Sequence, residues 1–267
     1  MSSIAASSTC PPVRRYRHTL IGMCEADLVD EDISGRALTA DFDHDPARFA
    51  ANQLATQSFS MISDVHDRVA DRLAKIVSGP ILDLGGGNGT LATSLIKHGR
   101  TAVVVDRADY VHGAPRPAVQ ADATQLPFRS KSFAAVAALW MLYYLDRPED
   151  ALTEAVRVLR SGGILVACTS SRYNDPEFVS VLPDWGKPFS FDAETAAAII
   201  ADYFTITEVI RWDTPALRLP DTAAVALFLR GRGLSADEAY RHAARWKTPM
   251  TVTKRGCLIW ARRPETR

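Results

Sequence analysis

The chain has 267 residues, of which 47% are hydrophobic and 23% are charged. These proportions are typical of a globular protein with a sizeable core, and they exclude a collagen, a coiled coil and a wholly disordered chain. The 31 basic residues balance the 31 acidic ones, so the formal net charge is zero. This balance does not favour nucleic acid as the main partner.

Four cysteines are scattered along the chain without a C-x-x-C pair: Cys10, Cys24, Cys168 and Cys257. The spacing predicts no metal site, and the apolar runs around Cys168 and Cys257 predict reduced core residues. The beginning of the chain has no apolar stretch of signal-peptide length, and no run approaches the ~20 apolar residues of a membrane span. The sequence therefore predicts a cytoplasmic protein that does not enter a membrane.

Residues 1–45 carry the weakest pattern, and the Ser, Thr and Pro residues near the start predict a partly flexible extension. From Asp45 to Ile76 apolar residues recur at steps of three to five. This spacing predicts amphipathic helices, with a break near Ser58–Ser60. Beyond residue 79, short apolar runs alternate with helical patterns, which predicts a mostly parallel sheet with helices on both faces.

The predicted strands are short and rich in Val, Ile, Leu and aromatic residues. They begin at residues 81, 101, 117, 132, 164, 205 and 250. The strand of 205–212 is expected to end at Trp212, and 250–263 form either one strand or a hairpin around Arg255–Gly256. Two short helices are predicted within 213–249, the second opening with a capping box at Ser235–Glu238.

The glycine-rich segment Asp83–Gly89 follows the first strand and opens a helix. Open α/β sheets bind ligands at this edge, where glycines let backbone N–H groups approach a ligand and the helix end favours an anion. Three interpretations are open. Gly87–Ala92 fits the G-x-G-x-x-A pattern of a dinucleotide site, the segment could bind a nucleoside sulfonium, or it could be a turn without a ligand.

Two acidic residues at the next strand ends favour a ligand. Asp106 ends the second strand 17 residues after Gly89, where a carboxylate can accept hydrogen bonds from both ribose hydroxyls. After the third strand, Asp122 can accept a hydrogen bond from the adenine amine, and the Ala123 N–H can donate to the ring. Both ligand-binding interpretations are compatible with Asp106, so it argues only against the empty turn.

Five segments together resemble the class I S-adenosylmethionine-dependent methyltransferases, most closely the small-molecule branch called methyltransferase type 11. The segments are Asp83–Gly89, VVVD at 103–106, ADATQLPF at 121–128, SFAAVAALWMLYYL at 132–145 and EAVRVLRSGGILV at 154–166. The resemblance covers about residues 79–170 well. Dehydrogenases rarely show the D-a-x-x-L-P-F element, and no Y-x-x-x-K motif is present.

The resemblance implies a doubly wound, mostly parallel seven-stranded sheet with a Rossmann-like fold. It implies a methyltransferase domain over 46–263, with lid helices at 46–78 and a substrate-cap insertion at 213–249, after an N-terminal extension of 1–45. The implied cofactor is S-adenosylmethionine, with S-adenosylhomocysteine as product. The implied partner is a small-molecule methyl acceptor; nucleic acid and membrane are not expected, and the oligomeric state is not predicted.

The resemblance also assigns roles around the cofactor. Asp83 orders the glycine loop, the loop glycines line the methionine part, Asp106 holds the ribose and Arg107 flanks the adenine. Asp122 and Ala123 read the adenine, while Leu139 and Trp140 lie beside the sulfonium. The full implied set is Asp83, Gly85, Gly86, Gly87, Asn88, Gly89, Asp106, Arg107, Asp122, Ala123, Leu139 and Trp140.

The sequence departs from the family pattern at three places. The family usually has Cys or Ser where Gly86 or Gly87 stands, and often Thr or Ser at Asn88. The usual His before the leucine of the fourth-strand loop is Tyr144 here, so no catalytic role is inherited at that position. These departures leave the cofactor assignment intact.

The expected reaction is an in-line displacement at the methyl carbon, which needs a base only if the acceptor must lose a proton. His66, Tyr143 and Tyr144 are the candidate catalytic residues. A partly exposed helix histidine and tyrosines that pack in the core are the alternatives. Two variable segments should recognise the acceptor, and the residues expected to roof the site from the second are Trp212, Leu217, Leu219, Phe228, Tyr240 and Trp246.

The expected acceptor is a small, partly hydrophobic metabolite with an O, N or C nucleophile, and the resemblance and composition point to bacterial secondary metabolism. Basic residues of the C-terminal region, from Arg230 to Arg255, keep an RNA methyltransferase open as an alternative. An NAD-dependent oxidoreductase and a non-catalytic binding protein of the same fold also stay open.

Overall fold

The structure is a computed structural model that describes residues 45–265. Within that range, seven strands form one sheet in the order β3-β2-β1-β4-β5-β7-β6. Their bounds are β1 (Ile81–Leu84), β2 (Ala102–Asp106), β3 (Ala118–Gln120), β4 (Phe133–Leu139), β5 (Leu159–Ser170), β6 (Thr205–Leu219) and β7 (Met250–Arg262). Strands β1 to β5 pair in parallel, and β7 runs antiparallel to both β5 and β6. The predicted mostly parallel, seven-stranded sheet is confirmed.

Helices flank this sheet. They are α1 (Pro46–Phe59), α2 (Val65–Ile76), α3 (Thr90–Lys97), α4 (Pro148–Val158), α5 (Ala196–Ala201), α6 (Thr222–Gly231) and α7 (Ala236–Ala243). The predicted break after Ser58 separates α1 from α2, and the predicted capping box opens α7 at Ser235. Among residues 45–265, no helix combines the length and the apolar character needed to cross a bilayer.

The sheet is covered on both faces, which explains why its central strands read as continuous apolar runs. Leu82 and Leu84 of β1 pack on one face with Leu152 of α4. Ile81 packs on the opposite face with Leu73 of α2, because successive strand residues point to opposite sides. Cys168 and Cys257 are buried free thiols, as predicted, whereas Cys10, Cys24 and the extension of 1–44 lie outside the described residues.

The end of β6 differs from the prediction. The strand does not stop at Trp212 but continues to Leu219, paired with the first residues of β7, which is one strand rather than a hairpin. The segment 213–249 therefore starts as strand, and its helical part is α6 and α7. Pro215 reads as a strand breaker, but β6 is an edge strand and tolerates the missing N–H. Burial of Leu217 and Leu219 against α6 holds this extension in place.

Helix α1 is fixed against α6 by close packing and polar contacts. The Arg230 guanidinium binds the Asp45 carboxylate at 2.5 Å, and Arg232 Nη1 donates to Asn52 Oδ1 at 2.6 Å. A Cβ atom at Gly231 would lie 2.8 Å from Asn52 Cα, so only glycine permits this approach. The contact places α1 beside the carboxyl edge of the sheet.

Substitution of Gly231 by alanine should therefore lower the free energy of unfolding by about 1–3 kcal/mol, because the added methyl group must push two backbones apart. Urea unfolding measures this change. Gly113→Ala is the matched control, since a Cβ there meets no heavy atom within 4 Å. Equal stability of the two variants would contradict the close α1–α6 contact.

Candidate active site

A cavity of about 1000 Å³ lies at the carboxyl ends of β1, β2 and β4. The glycine loop, residues 85–89, borders one end of it. It is also lined by Trp212 and Leu217 of β6 and by Arg232 and Lys254. Helix α1 and the linker to α2 line one side, where the Met61 N–H donates to the Ala216 carbonyl of β6 at 2.8 Å. This hydrogen bond joins the linker to β6 beside the cavity.

The glycine loop is shaped by what lies behind it. A Cβ at Gly86 would lie 2.6 Å from Asp83 Cγ, so the loop rests directly on that carboxyl group. Gly87 has a φ of +54°, and a Cβ there would meet nothing within 4 Å. The loop therefore packs on Asp83 from one side and leaves open space at Gly87 on the side of the cavity.

Asp83 is buried beneath the loop, and its Oδ2 atom has no hydrogen-bond partner within residues 45–265. Burial raises the pKa of the Asp83 carboxyl to about 6. Asp106 is held differently. Its Oδ2 accepts from the Gly87 N–H at 2.8 Å and its Oδ1 from the Ala108 N–H at 2.9 Å. One carboxylate thus supports the loop from below, and the other faces the cavity at its rim.

Most residues predicted to bind the cofactor line this cavity. They are Gly85, Gly86, Gly87, Asn88, Asp106, Arg107, Asp122, Ala123, Leu139 and Trp140. Asp83 lies beneath the loop instead. Gly89 precedes α3 and packs against Pro115, whose Cδ would lie 2.6 Å from a Cβ at that position. The structure therefore places Asp83 and Gly89 as supports of the loop rather than as cavity lining.

Trp140 follows β4 with a φ of +60°, a conformation that costs a non-glycine residue about 1–3 kcal/mol. Its N–H donates to the Cys168 carbonyl at 3.0 Å, which holds the backbone in this position. The Trp140 ring meets the Trp212 ring edge to face, with 6.1 Å between centroids. Both rings line the cavity and form its aromatic wall.

Tyr143 and Tyr144 also line the cavity, and their ring centroids are 4.6 Å apart. Burial raises the pKa of Tyr143 to about 12, and burial and the neighbouring tyrosine raise the pKa of Tyr144 well above its usual value. Both hydroxyls therefore stay protonated at neutral pH. They can orient a bound molecule by hydrogen bonding but are poor proton acceptors.

His66 begins the first turn of α2 and lines the cavity. Its Nδ1 lies 2.6 Å from Asp64 Oδ1, which also accepts the His66 backbone N–H at 2.9 Å. Burial opposes ionisation of Asp64, but the hydrogen bonds and charge of His66 outweigh it and lower the pKa of the carboxyl. In the neutral ring, a carboxylate at Nδ1 favours the tautomer with its proton on Nδ1, which leaves Nε2 as a hydrogen-bond acceptor.

Of the six residues predicted to roof the site, two line the cavity, Trp212 and Leu217. Leu219 and Phe228 are instead buried in the apolar cluster that α6 forms with β6 and β7, Trp246 packs on Phe178, and Tyr240 is 70% exposed. Leu219, Phe228 and Trp246 therefore stabilise the packing around α6 and do not line the cavity.

Several lining residues were not predicted individually as site residues: Phe49, Asn52, Thr56, Asn174, Arg232 and Lys254. The first three lie in the predicted lid helices, Arg232 lies in the predicted cap, and Lys254 lies in the basic C-terminal region. They are far apart in the chain, so only the tertiary structure brings them together. No group of three or more His, Cys, Asp or Glu side chains suited to a metal ion occurs among residues 45–265.

The sheet order, the glycine loop and an acidic residue at the end of β2 define a Rossmann-like α/β protein with a nucleotide-type site at its carboxyl edge. Residues 82–167 match the family model described as a methyltransferase domain.

Three known proteins illustrate the similarity. The ubiquinone/menaquinone biosynthesis C-methyltransferase UbiE of Dinoroseobacter shibae is 29% identical over 62% of this chain and 70% of its own length. A demethylmenaquinone methyltransferase of Mycolicibacterium paratuberculosis is 32% identical over 67% of this chain and 79% of its own. The N-methyltransferase NodS of Bradyrhizobium japonicum, solved with S-adenosylhomocysteine, shares the fold with a TM-score of 0.50 and 18% identity, over 83% of this chain and 100% of its own.

The chain belongs to the class I S-adenosylmethionine-dependent methyltransferases, as the sequence resemblance predicts. It is an enzyme with S-adenosylmethionine as cofactor, and the hypotheses of an NAD-dependent oxidoreductase and of a non-catalytic binding protein are rejected. The observed site fits this cofactor. The space at Gly87 is open and would be filled by a side chain, and the Asp106 carboxylate at the cavity rim can accept further hydrogen bonds.

Replacing Asp106 by alanine should weaken S-adenosylmethionine binding by about 1.5–3 kcal/mol, since hydrogen bonds to a charged group are lost. Loss of the bond to Gly87 also loosens the loop. Calorimetric titration measures the affinity. Asp109→Ala is the control, because Asp109 bonds Gln120 outside the cavity. Unchanged affinity in a folded Asp106 variant would move the ribose site elsewhere.

Proposed function

We propose that the enzyme methylates an O, N or C nucleophile of a small metabolite bound in the cavity beside the cofactor. The observation that carries this proposal is the extent of the cavity. Small-ligand pockets measure about 300–1000 Å³. The volume here is about 1000 Å³, and the lining extends beyond the cofactor-fitting residues to Trp212 and Leu217 of β6 and Lys254 of β7. The cavity has room for an acceptor beside the cofactor.

The residues predicted to hold the cofactor are Asp106 for the ribose, Asp122 and Ala123 for the adenine, and the glycine loop for the methionine part. When bound, S-adenosylmethionine supplies a methyl group already activated on a cationic sulfonium. The chain then has mainly to align the acceptor and exclude water, and such positioning supplies much of the acceleration. Trp140 and Trp212 form an apolar wall suited to both tasks.

We infer that His66 accepts a proton from those acceptors that must lose one. Asp64 is a positioning residue, because its bond to Nδ1 directs Nε2 as the acceptor atom. Tyr143 and Tyr144 orient the acceptor with their neutral hydroxyls. We also propose residues 46–78 as the lid and residues 213–249 as the substrate cap, joined by the hydrogen bond from Arg232 Nη1 to Asn52 Oδ1.

The chemical class of the acceptor is inferred from the relatives and from the charge of the chain. Relatives named for ubiquinone and menaquinone biosynthesis support an electron-rich ring as one class of acceptor. The family resemblance supports a role in secondary metabolism. An RNA acceptor is disfavoured because the formal net charge of the chain is zero. Two cations of the basic C-terminal region are also paired with carboxylates of this chain, Arg230 with Asp45 and Arg255 with Asp213.

The test is formation of S-adenosylhomocysteine from S-adenosylmethionine in the presence of a panel of phenols, hydroquinones, amines and short RNA oligonucleotides. Turnover with a small acceptor and none with RNA supports the proposal, whereas turnover with RNA alone refutes it. His66→Gln should lower kcat and flatten its pH dependence without changing cofactor affinity. Lys75→Gln on the same helix, an exposed residue paired with Asp71, serves as the control.

A further inference from the structure

A buried ionic cluster borders the part of the cavity that is lined by Asn52 of α1 and Lys254 of β7. Asp175 Oδ2 binds Arg232 Nε at 2.7 Å, and Asp175 Oδ1 binds Lys254 Nζ at 2.5 Å. The Asp175 side chain is 2% exposed, against 22% for Arg232 and 15% for Lys254. Such a cluster is expensive to bury, and apolar residues of similar size would often be at least as stable. Stability alone therefore does not explain its presence.

The charges of the cluster are arranged asymmetrically about the cavity. Arg232 and Lys254 line the cavity, whereas Asp175 does not and holds the two cations from behind. A second carboxylate, Glu177, also lies outside the cavity lining and is occupied by the backbone and hydroxyl of Thr253. The cluster thus presents its positive side to the cavity.

The charged side chains of the rest of the cavity are mixed. Carboxylates and cations both line it, namely Asp64, Asp106, Asp122, Arg68 and Arg107. The charged lining residues contributed by the end of α6 and by β7 are all cations, namely Arg232, Lys254 and Arg255. This local excess of positive charge predicts a negative group on the molecule bound beside it, since complementary potentials select and orient a ligand.

The two cations also retain hydrogen-bonding capacity. Arg232 donates through Nε to Asp175 and through Nη1 to Asn52, and its Nη2 has no partner within residues 45–265. Lys254 uses one of its three donors on Asp175. The Phe228 ring covers both from one side, 4.6 Å from Arg232 Cζ and 4.8 Å from Lys254 Nζ. The remaining donors therefore have the cavity side available to them.

We propose that Arg232 and Lys254 bind a carboxylate of the methyl acceptor, which anchors the acceptor with its nucleophile toward the aromatic wall. This inference rests on the proposed function. A carboxylate fits because the two cations line the cavity, whereas the carboxylates of Asp175 and Glu177 lie outside its lining. The two oxygens of a carboxylate can also accept one hydrogen bond each from the Arg232 guanidinium and the Lys254 ammonium. A neutral analogue would leave these buried donors unpaired and should be rejected.

Binding of benzoate and benzamide to the full-length protein tests the proposal, because the two probes share a shape and differ in charge. Calorimetric titrations at constant ionic strength are run with and without saturating S-adenosylhomocysteine. We expect benzoate to bind at least about tenfold more tightly, the ratio given by about 1.4 kcal/mol. Lys254→Gln should abolish this preference, and Lys254→Arg should retain it. Lys187→Gln, outside the cavity, is the control with unchanged preference.

Equal affinity for the two probes, or no binding of either, would overturn the proposal. A benzoate preference that survives in Lys254→Gln would also overturn it, since another group would then bind the anion. Failure of S-adenosylhomocysteine to bind bears on the proposed function instead, and the titrations without it keep the two outcomes distinct. Unchanged affinity of each variant for S-adenosylhomocysteine shows that the variant is folded.

Discussion

Replacing Asp175 by asparagine should lower the free energy of unfolding by about 3–5 kcal/mol, because two buried cations lose their shared counter-ion. The carboxylate bonds both Arg232 and Lys254, and an amide keeps the shape but not the charge. Urea unfolding at pH 7 measures the loss. The stability change should exceed that of Asp184→Asn, which removes a more exposed partner of Lys187.

The same contact has a defined pH dependence. Burial alone would raise the pKa of Asp175, but Arg232 and Lys254 outweigh it and hold the pKa below its usual value. A lowered pKa adds stability that is present above the ordinary value near 4 and is lost as the pH falls through the folded-state value. The wild type and Asp175→Asn should therefore converge in stability in acid.

A double-mutant cycle separates the charge from the packing. Combining Asp175→Asn with Lys254→Met removes one cation together with the carboxylate, so the double variant should be less unstable than the sum of the single changes. Strict additivity would mean that Asp175 and Lys254 are not coupled, and the cluster would then have no common electrostatic origin.

Replacing Asp83 by asparagine should raise the free energy of unfolding, in contrast to Asp175→Asn. Burial raises the pKa of Asp83 to about 6 in the folded protein. Ionisation of this group therefore costs roughly 3 kcal/mol of stability above pH 6, less between pH 6 and 4, and almost nothing below pH 4. The asparagine variant should be more stable than the wild type by up to this amount at pH 8, and the gain should shrink as the pH falls to 4.

The same Asp83→Asn variant should bind S-adenosylmethionine more weakly than the wild type. The glycine loop rests on the Asp83 carboxyl group, and the loss of its charge removes a negative group close to the site of a cationic ligand. Unfolding curves at pH 8 and pH 4, together with titration of S-adenosylmethionine, measure both effects. Asp109→Asn, at an exposed site, should change neither quantity. A loss of stability in Asp83→Asn at pH 8 would contradict the raised pKa.

The sheet and the cofactor site at its carboxyl edge could be predicted from the sequence, because both depend on residues that are close together in the chain. Apolar runs of strand length mark β1 and β2, and the glycine cluster and Asp106 stand directly at their ends. Carboxyl ends of neighbouring parallel strands meet at one edge, so these residues had to come close together. The resemblance to methyltransferases rests on the same local segments.

The part of the cavity that we propose for the acceptor is formed by long-range packing. Asn52, Asp175, Arg232 and Lys254 come from four distant parts of the chain, and none stands in a recognisable motif. The extension of β6 through Pro215 also could not be predicted from the sequence. It depends on pairing with β7 and on burial of Leu219 rather than on the strand propensity of its own residues. Local periodicity records which side of an element is apolar, but contacts between distant segments choose its partner.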